Sequence, residues 1–326
     1  MTLIYEILEQ SDLKDKEIYI FGAGSYGMQA NSELQALNIQ VKGFIDNAIE
    51  KQGTKVQNKL VYSVEEVMKE QPSFSKKVII VCSMYHKEIG KQLEDLKLKE
   101  NQQFFIKYFY ENDASINWLN FANAGMLHPG NIELFDYAIR HLPSENPIIE
   151  IGSFCGLSTN LMNYFLGKYD KNNNIFTSDK WLFENSSGNY YLSITAKEYR
   201  EFVFESFKRN IKFFSANRLP HSIEELSDDF FELWDKDNVV TDVFSRQALM
   251  GGPIAFSYID GNHTYEYAKR DFLNVDKYLE VNGYVLFDDS SDRNEFGLTP
   301  LMQEIMENEK YTLISKNPNY LFKKIK

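Results

Sequence analysis

Short apolar runs recur along the chain, and most are followed by a stretch in which apolar residues return at helical spacing. In the first third, Glu17–Gly24 reads as a strand entering a turn, Ser25–Leu37 as a helix and Gln40–Asp46 as a second strand. Lys59–Glu70 gives a short strand and helix, Lys76–Ser83 a fully buried strand, His86–Leu98 a helix and Gln102–Tyr108 a last strand. Strands separated by helices imply parallel pairing in an open α/β sheet.

Residues 108–130 break this rhythm, being rich in aromatics, Asn and Gly without a period. They read as a linker with a lid-like part folded over the second domain, because a free tether would be Gly/Ser-rich or charged. From Asn131 the alternation resumes, with strands expected at Pro147–Ser153, Asn174–Lys180, near Arg218–Ile223, at Pro253–Asp260 and at Gly283–Asp289. Tyr311–Asn317 and Asn319–Ile325, joined by a tight turn, form a terminal hairpin pattern. Two stretches exceed ordinary connections: Trp181–Ala216, which suits a lid or substrate-recognition insertion, and about Asp235–Gly252. The predicted organisation is a small Rossmann-like domain at 1–107, an aromatic-rich linker or lid at 108–130 and a larger α/β domain at 131–326.

Composition adds little to this picture. The 326 residues are 43% hydrophobic and 25% charged, ordinary for a globular protein with a sizeable core. The net charge of −12 argues against a nucleic-acid partner. Lys197, Arg200, Lys208, Arg209 and Lys212 share one helical segment and read as a solvated face. Two distant cysteines, Cys82 and Cys155, make neither a disulfide framework nor a zinc site, which fits a reducing cytoplasm. The acidic N-terminus lacks the features of a signal peptide, and no apolar run suggests membrane insertion. The oligomeric state stays open, a homo-oligomer included.

The chemistry concentrates in the larger domain. Glu150 ends a buried strand, and Gly152, Ser153, Phe154 and Gly156 form the turn into a helix that begins near Ser158. Glycines let backbone approach a ligand, and a helix start offers free N–H groups. Asp179 follows the next strand, Asp260 a later one, and the pair Asp288–Asp289 the one after. Ligands of open α/β sheets bind outside the carboxyl ends of the strands, where all these acids fall. Adjacent parallel strands would bring three carboxylates together, and a hard divalent cation, Mg²⁺ first, would neutralise them. The alternative is that each Asp caps a helix or turn. His263 either accepts a proton as a general base or caps the helix near Thr264. His128 reads as a pocket wall or an ordinary loop histidine, and His86 and His221 as non-catalytic. Tyr164 and Lys168 have a dehydrogenase spacing but fall on the wrong element.

This arrangement resembles class I S-adenosylmethionine-dependent methyltransferases, closest to catechol-type and metal-dependent sugar O-methyltransferases, over about residues 125–326. The resemblance implies a seven-stranded sheet ending in a hairpin, with S-adenosyl-L-methionine as cofactor. It implies that Glu150, Gly152, Ser153, Phe154, Gly156 and Ser158 shape the methionine part of the pocket. Phe154 stands where the commoner loop has a glycine, an aromatic that the catechol-type loop shares. Asp179 would accept from the ribose hydroxyls, and Trp181 would cover the adenine. Asp260, Asp288 and Asp289 would bind the metal, with His263 and Asp260 at the catalytic centre. The acceptor class implied is a small molecule or glycan precursor, a nucleotide-sugar included.

The first domain carries Gly22, Gly24 and Gly27 in a G-x-G-x-x-G after a strand, with Asp46 ending the next. That is a dinucleotide fingerprint with a ribose-binding acid. The unit resembles N-terminal domains of nucleotide-sugar and polysaccharide-modifying proteins, through the GAG loop and the strand Gly43-Phe44-Ile45-Asp46. It reads as a nucleotide or nucleotide-sugar site, an NAD(P) site, or a docking module without ligand. The expected function is a metal-assisted O-methyltransferase for a sugar hydroxyl. The alternatives are an NAD(P)-dependent oxidoreductase working through the first domain and a non-catalytic nucleotide-binding scaffold.

Overall fold

The computed structural model describes residues 4, 7–8, 16–69, 76–107, 113–183, 189–190, 194–292 and 297–326. The chain divides into two compact units, Met1–Phe109 and Tyr110–Lys326.

In the first unit, β1 (Glu17–Phe21), α1 (Ser25–Ala36) and β2 (Val41–Ile45) precede a small hairpin, β3 (Lys55–Val56) and β4 (Lys59–Tyr62). Then come α2 (Val64–Lys69), β5 (Lys77–Val81), α3 (His86–Asp95) and β6 (Phe104–Ile106). The sheet order is β3-β4-β2-β1-β5-β6, parallel except for the β3–β4 pair. Its central strands β1 and β5 are apolar after their first residues, Glu17 and Lys77, because both faces are covered. One face packs Ile18, Ile20, Val78 and Ile80 with Ala30 and Leu34 of α1. The other packs Tyr19, Phe21, Ile79 and Val81 with Ile89 and Leu93 of α3.

The second unit opens with α4 (Ala114–Ala122) and α5 (Pro129–Arg140). The segment expected as a linker thus carries a helix over Ala114–Ala122 and non-helical chain over 123–128 before α5 begins. Asp113 caps α4 by accepting from the N–H groups of Ser115 and Ile116. Both ends of α4 are tied down: Tyr164 donates to Asp113, and Asn160 donates to Asn123. Next come β7 (Ile148–Ile151), α6 (Leu157–Lys168), β8 (Ile175–Ser178), β9 (Asn189–Tyr190), β10 (Ile194–Thr195), α7 (Ala196–Phe214), β11 (His221–Ile223) and α8 (Ser227–Asp235). The unit closes with β12 (Val239–Thr241), β13 (Gln247–Leu249), β14 (Ile254–Ile259), α9 (Tyr265–Tyr278), β15 (Leu279–Phe287), α10 (Thr299–Glu307), β16 (Tyr311–Lys316) and β17 (Tyr320–Lys324).

Seven of these strands form one sheet in the order β11-β8-β7-β14-β15-β17-β16, with β17 antiparallel to both its neighbours. This is the seven-stranded sheet with terminal hairpin that the resemblance implied. The long insertion carries α7, whose start is fixed by a capping box between Thr195 and Glu198. The shorter insertion is the β12–β13 hairpin. Among the described residues no helix is long and apolar enough to cross a membrane.

The register places the site. Ile151 lies opposite Ser178 and Ile259, Ser178 opposite Ile223, and Ile259 opposite Phe287. The next residue of each strand, Gly152, Asp179, Asp260 and Asp288, therefore emerges side by side along one edge.

Candidate functional site

Gly152 begins the loop after β7 at a φ of +84°, which glycine adopts at little cost. A Cβ there would stand 2.0 Å from the carbonyl oxygen of Asp260, so the loop can lie against β14 only without a side chain. Phe154 (φ 45°), Trp181 (48°) and Asp289 (48°) are left-handed residues other than glycine, all at this edge. Such strain costs of order 1–3 kcal/mol per residue and collects at functional sites.

Asp179 organises the loop. Its Oδ2 accepts from the N–H groups of Ser153 at 2.8 Å and Phe154 at 3.0 Å, and its Oδ1 from that of Trp181 at 2.6 Å. A carboxylate has about four acceptor positions and three are used here, which leaves acceptor capacity for a ligand hydroxyl. Burial raises its pKa above the ordinary carboxylate value, and the three N–H bonds oppose that rise.

Glu150 does not face the open edge. It is fully buried, and Ser158 and Thr159 each donate a hydroxyl to it at 2.5 Å. Burial pushes its pKa up to about 7 against those bonds. Glu150 and Ser158 thus act on the pocket from behind, by fixing the first turn of α6.

Trp181 is the residue that the resemblance placed over the adenine. It is 1% exposed, and its indole N–H donates to the Phe154 carbonyl at 2.9 Å. It packs with Cys155, Val203, Phe207 and Ile211, so the indole joins the loop to α7 instead of lining an open face. The neighbouring Phe183 meets the Phe154 ring edge-on at 6.5 Å and is only partly buried.

The acids at the other end of the edge converge. Asp260 and Asp288 leave adjacent strands side by side, and burial together with the Asp288 charge raises the pKa of Asp260 well above the ordinary range. His263 Nε2 lies 3.7 Å from Asp260 Oδ1 and 3.7 Å from Asp289 Oδ2. Thr264, not His263, is the N-cap of α9, so the imidazole is not used as the cap.

The expected magnesium site finds no support in this arrangement. Oxygen donors are present, but Asp288 Oδ1 is already taken by two side-chain amides. Among the described residues no group of three or more His, Cys, Asp or Glu side chains is disposed to hold a metal ion.

Three participants escape a reading of the sequence. Asn131 and Asn319 donate to Asp288 Oδ1, the former in a short bond and the latter at 2.8 Å. The third, His128, reads from sequence only as a wall or loop residue. It is the N-cap of α5, with Nδ1 accepting from the Gly130 N–H at 3.0 Å. Desolvation lowers its pKa, while the Asp288 and Asp289 charges pull it up. Its N-cap place before Pro129 is the one local signal available. Tyr164 and Lys168 serve structural contacts, with Asp113 and Asp136 respectively.

In the first unit, Gly22 and Gly27 sit where a Cβ would strike the carbonyls of Cys82 (2.3 Å) and Gly22 (1.8 Å), while space beside Gly24 is open. Asp46 is engaged internally. It accepts from the N–H groups of Ala23 and Ala48 and pairs with Lys51, each at 2.9 Å. Desolvation raises its pKa, but those N–H bonds and the Lys51 charge outweigh that and hold it below the ordinary value. Asp46, the acid of the fingerprint, thus ties two loops together.

Comparison with known proteins agrees with the geometry. Residues 149–290 match the family model described as a methyltransferase domain, and residues 14–104 the one described as C2185-like, N-terminal. No curated protein matches the chain. Solved structures that match include TomG, an O-methyltransferase of Streptomyces achromogenes involved in tomaymycin synthesis. It is 12% identical, with 75% of this chain and 100% of that one covered at a TM-score of 0.42. An O-methyltransferase of Bacillus cereus is also 12% identical, covering 73% and 97% at 0.42. The calicheamicin methyltransferase CalS11 is 15% identical, covering 74% and 93% at 0.43. Similarity at that level transfers no substrate to this chain. The segment that carries the glycine loop, Asp179, Asp260, His263 and the Asp288–Asp289 pair, residues 149–290, is a methyltransferase domain.

Proposed function

We propose that the second unit binds S-adenosylmethionine on the Gly152–Gly156 loop and transfers its methyl group to a hydroxyl oxygen, with His263 as the base. The observation that carries this reading is the register that brings Gly152, Asp179, Asp260 and Asp288 to one edge, with His263 Nε2 3.7 Å from two of the carboxylates there.

When bound, S-adenosylmethionine supplies an electrophilic methyl carbon on a sulfonium and leaves as S-adenosylhomocysteine. Asp179 accepts from the ribose hydroxyls while its N–H partners keep the loop in place. The acceptor oxygen gains the methyl carbon and loses its proton. His263 Nε2 takes that proton, and Asp260 and Asp289 stabilise the imidazolium that results. A hydroxyl of a sugar or glycan precursor is the acceptor we favour. Its support is the resemblance of the first unit to domains of nucleotide-sugar proteins, carried by Gly22–Gly27 and Gly43–Asp46. A transfer rate that rises with added Mg²⁺ and collapses with chelator would show magnesium assistance.

The test is release of S-adenosylhomocysteine from S-adenosylmethionine with a panel of UDP-hexoses, dTDP-hexoses and catechol. Turnover with one of them that falls by roughly 10²-fold or more in His263→Ala is expected. Full activity of that variant would remove the histidine from its role. Turnover confined to catechol would remove the sugar.

A further inference from the structure

Asp288 is held by two asparagines that lie far apart in the sequence of the second unit. Asn131 sits in the first turn of α5, and its side-chain amide donates a short hydrogen bond to Asp288 Oδ1. Asn319 sits in the turn between β16 and β17 and donates to the same oxygen at 2.8 Å. The two amides also meet each other, with Asn319 Nδ2 donating to Asn131 Oδ1 at 2.9 Å. Asn319 Oδ1 accepts from the Ser290 N–H at 3.0 Å, and Ser290 Oγ accepts from the Tyr320 N–H at 2.9 Å. Asn131, Asp288, Ser290 and Asn319 are all buried.

Buried amides are costly unless every polar atom is matched, and aliphatic side chains would fill the same space at less cost. Here the two amides converge on one carboxylate oxygen. With both donors on Oδ1, any rotation of the Asp288 carboxylate breaks two hydrogen bonds at once. Asp288 leaves β15 beside Asp260 at the end of β14, its N–H donating to the Ile259 carbonyl at 2.9 Å, and Asp260 Oδ1 lies 3.7 Å from His263 Nε2. The chain of contacts thus runs from the hairpin turn and α5 to the proposed base.

We propose that Asn131 and Asn319 are positioning residues for methyl transfer, which fix Asp288 and through it the place of Asp260 beside His263. This rests on the methyltransferase reading above. Neither amide needs to touch the cofactor, so the proposal separates turnover from cofactor binding.

The test compares Asn319→Leu and Asn131→Leu with Asn317→Leu. Asn317 ties the same hairpin turn to α5 by donating to Glu133 at 2.7 Å, and so reports damage to the junction itself. Asn319→Ser, which leaves room for a water, replaces the leucine variant if that chain does not fold. Each protein is titrated with S-adenosylhomocysteine, assayed with the probe from the panel that turns over, and crystallised. Asn319 and Asn131 variants are expected to keep cofactor affinity and KM for S-adenosylmethionine within about two-fold while kcat falls roughly 10²-fold. Their crystals are expected to show a rotated Asp288 carboxylate, and Asn317→Leu is expected to keep kcat. An unchanged kcat in the Asn319 variant, an unmoved Asp288, or an equal loss of kcat in Asn317→Leu would overturn the proposal. A wild type that fails to bind S-adenosylhomocysteine would sink the underlying reading, and this one with it. That failure is recognisable because it appears before any substitution is made.

Discussion

At the scale of single residues, the carboxyl groups of the second unit divide into those turned inward and those left at the open edge. Glu150 is the clearest of the first kind. Its pKa near 7 in the fold lies above its ordinary value of 4.5. The folded chain therefore holds a proton that the unfolded chain has lost between those values. Its contribution to stability is complete below about pH 4.5 and is lost as pH rises through about 7. The amount is about 3 kcal/mol. Glu150→Gln removes that dependence, so the stability of the variant relative to wild type should rise between pH 5 and pH 8 in urea unfolding. Equal differences at both values would mean that Glu150 stays ionised in the fold. Gly152 gives a second prediction at this scale. Gly152→Ala puts a Cβ 2.0 Å from the Asp260 carbonyl at a φ of +84°, so it should lower stability by several kcal/mol, roughly the upper range for single substitutions. It should also abolish binding of S-adenosylhomocysteine. Calorimetric melting and titration of the same sample check both.

At the scale of elements, the glycine loop is held from above by α7. The Cys155 carbonyl accepts from Asn210 at 2.9 Å and from Asn123 at 3.1 Å, tying the loop to α7 and to the end of α4. Trp181 fills the space between loop and helix. Trp181→Ala should leave a cavity there and cost roughly 3–5 kcal/mol. If the indole also supports the pocket, cofactor affinity falls with it, and Trp181→Phe restores most of both. A melting temperature unchanged in the alanine variant would contradict the packing role. Most elements are legible in the sequence because apolar runs such as Ile254–Ile259 and Lys77–Val81 are buried on both faces and carry almost no polar interruption. The helix α4 is not, although Asp113 before Ala114 is a good N-cap, because its aromatic residues hide the period. Trp118 and Phe121 of that helix are exposed, so apolar spacing misleads there. The strand β3 and the hairpin β12–β13 escape for want of alternation in such short strands. The Asn131–Asn319–Asp288 clasp has no local signal at all, because it joins side chains 188 residues apart at its widest. The acids do stand at strand ends, as the sequence pattern places them. That pattern cannot show that Asp46 binds Ala23, Ala48 and Lys51, because this depends on how two loops fold back.

At the scale of the molecule, each unit has its own sheet and its own core. A loss confined to the first unit should therefore leave the second unit's chemistry in place. Asp46→Ala removes the acceptor for two N–H groups and an ion-pair partner, and should cost roughly 1–3 kcal/mol in the first unit. Binding of S-adenosylhomocysteine to the same protein should not change. A joint loss would show that the two units depend on each other. The central claim is that the second unit is a methyl-transfer machine built on the Gly152–Gly156 loop and Asp179. Calorimetric titration of the whole chain with S-adenosylhomocysteine tests it most directly, for the wild type and for Asp179→Ala. Saturable one-to-one binding by the wild type, lost in the variant, is the predicted result. A wild type that binds nothing, with or without Mg²⁺, would contradict the claim.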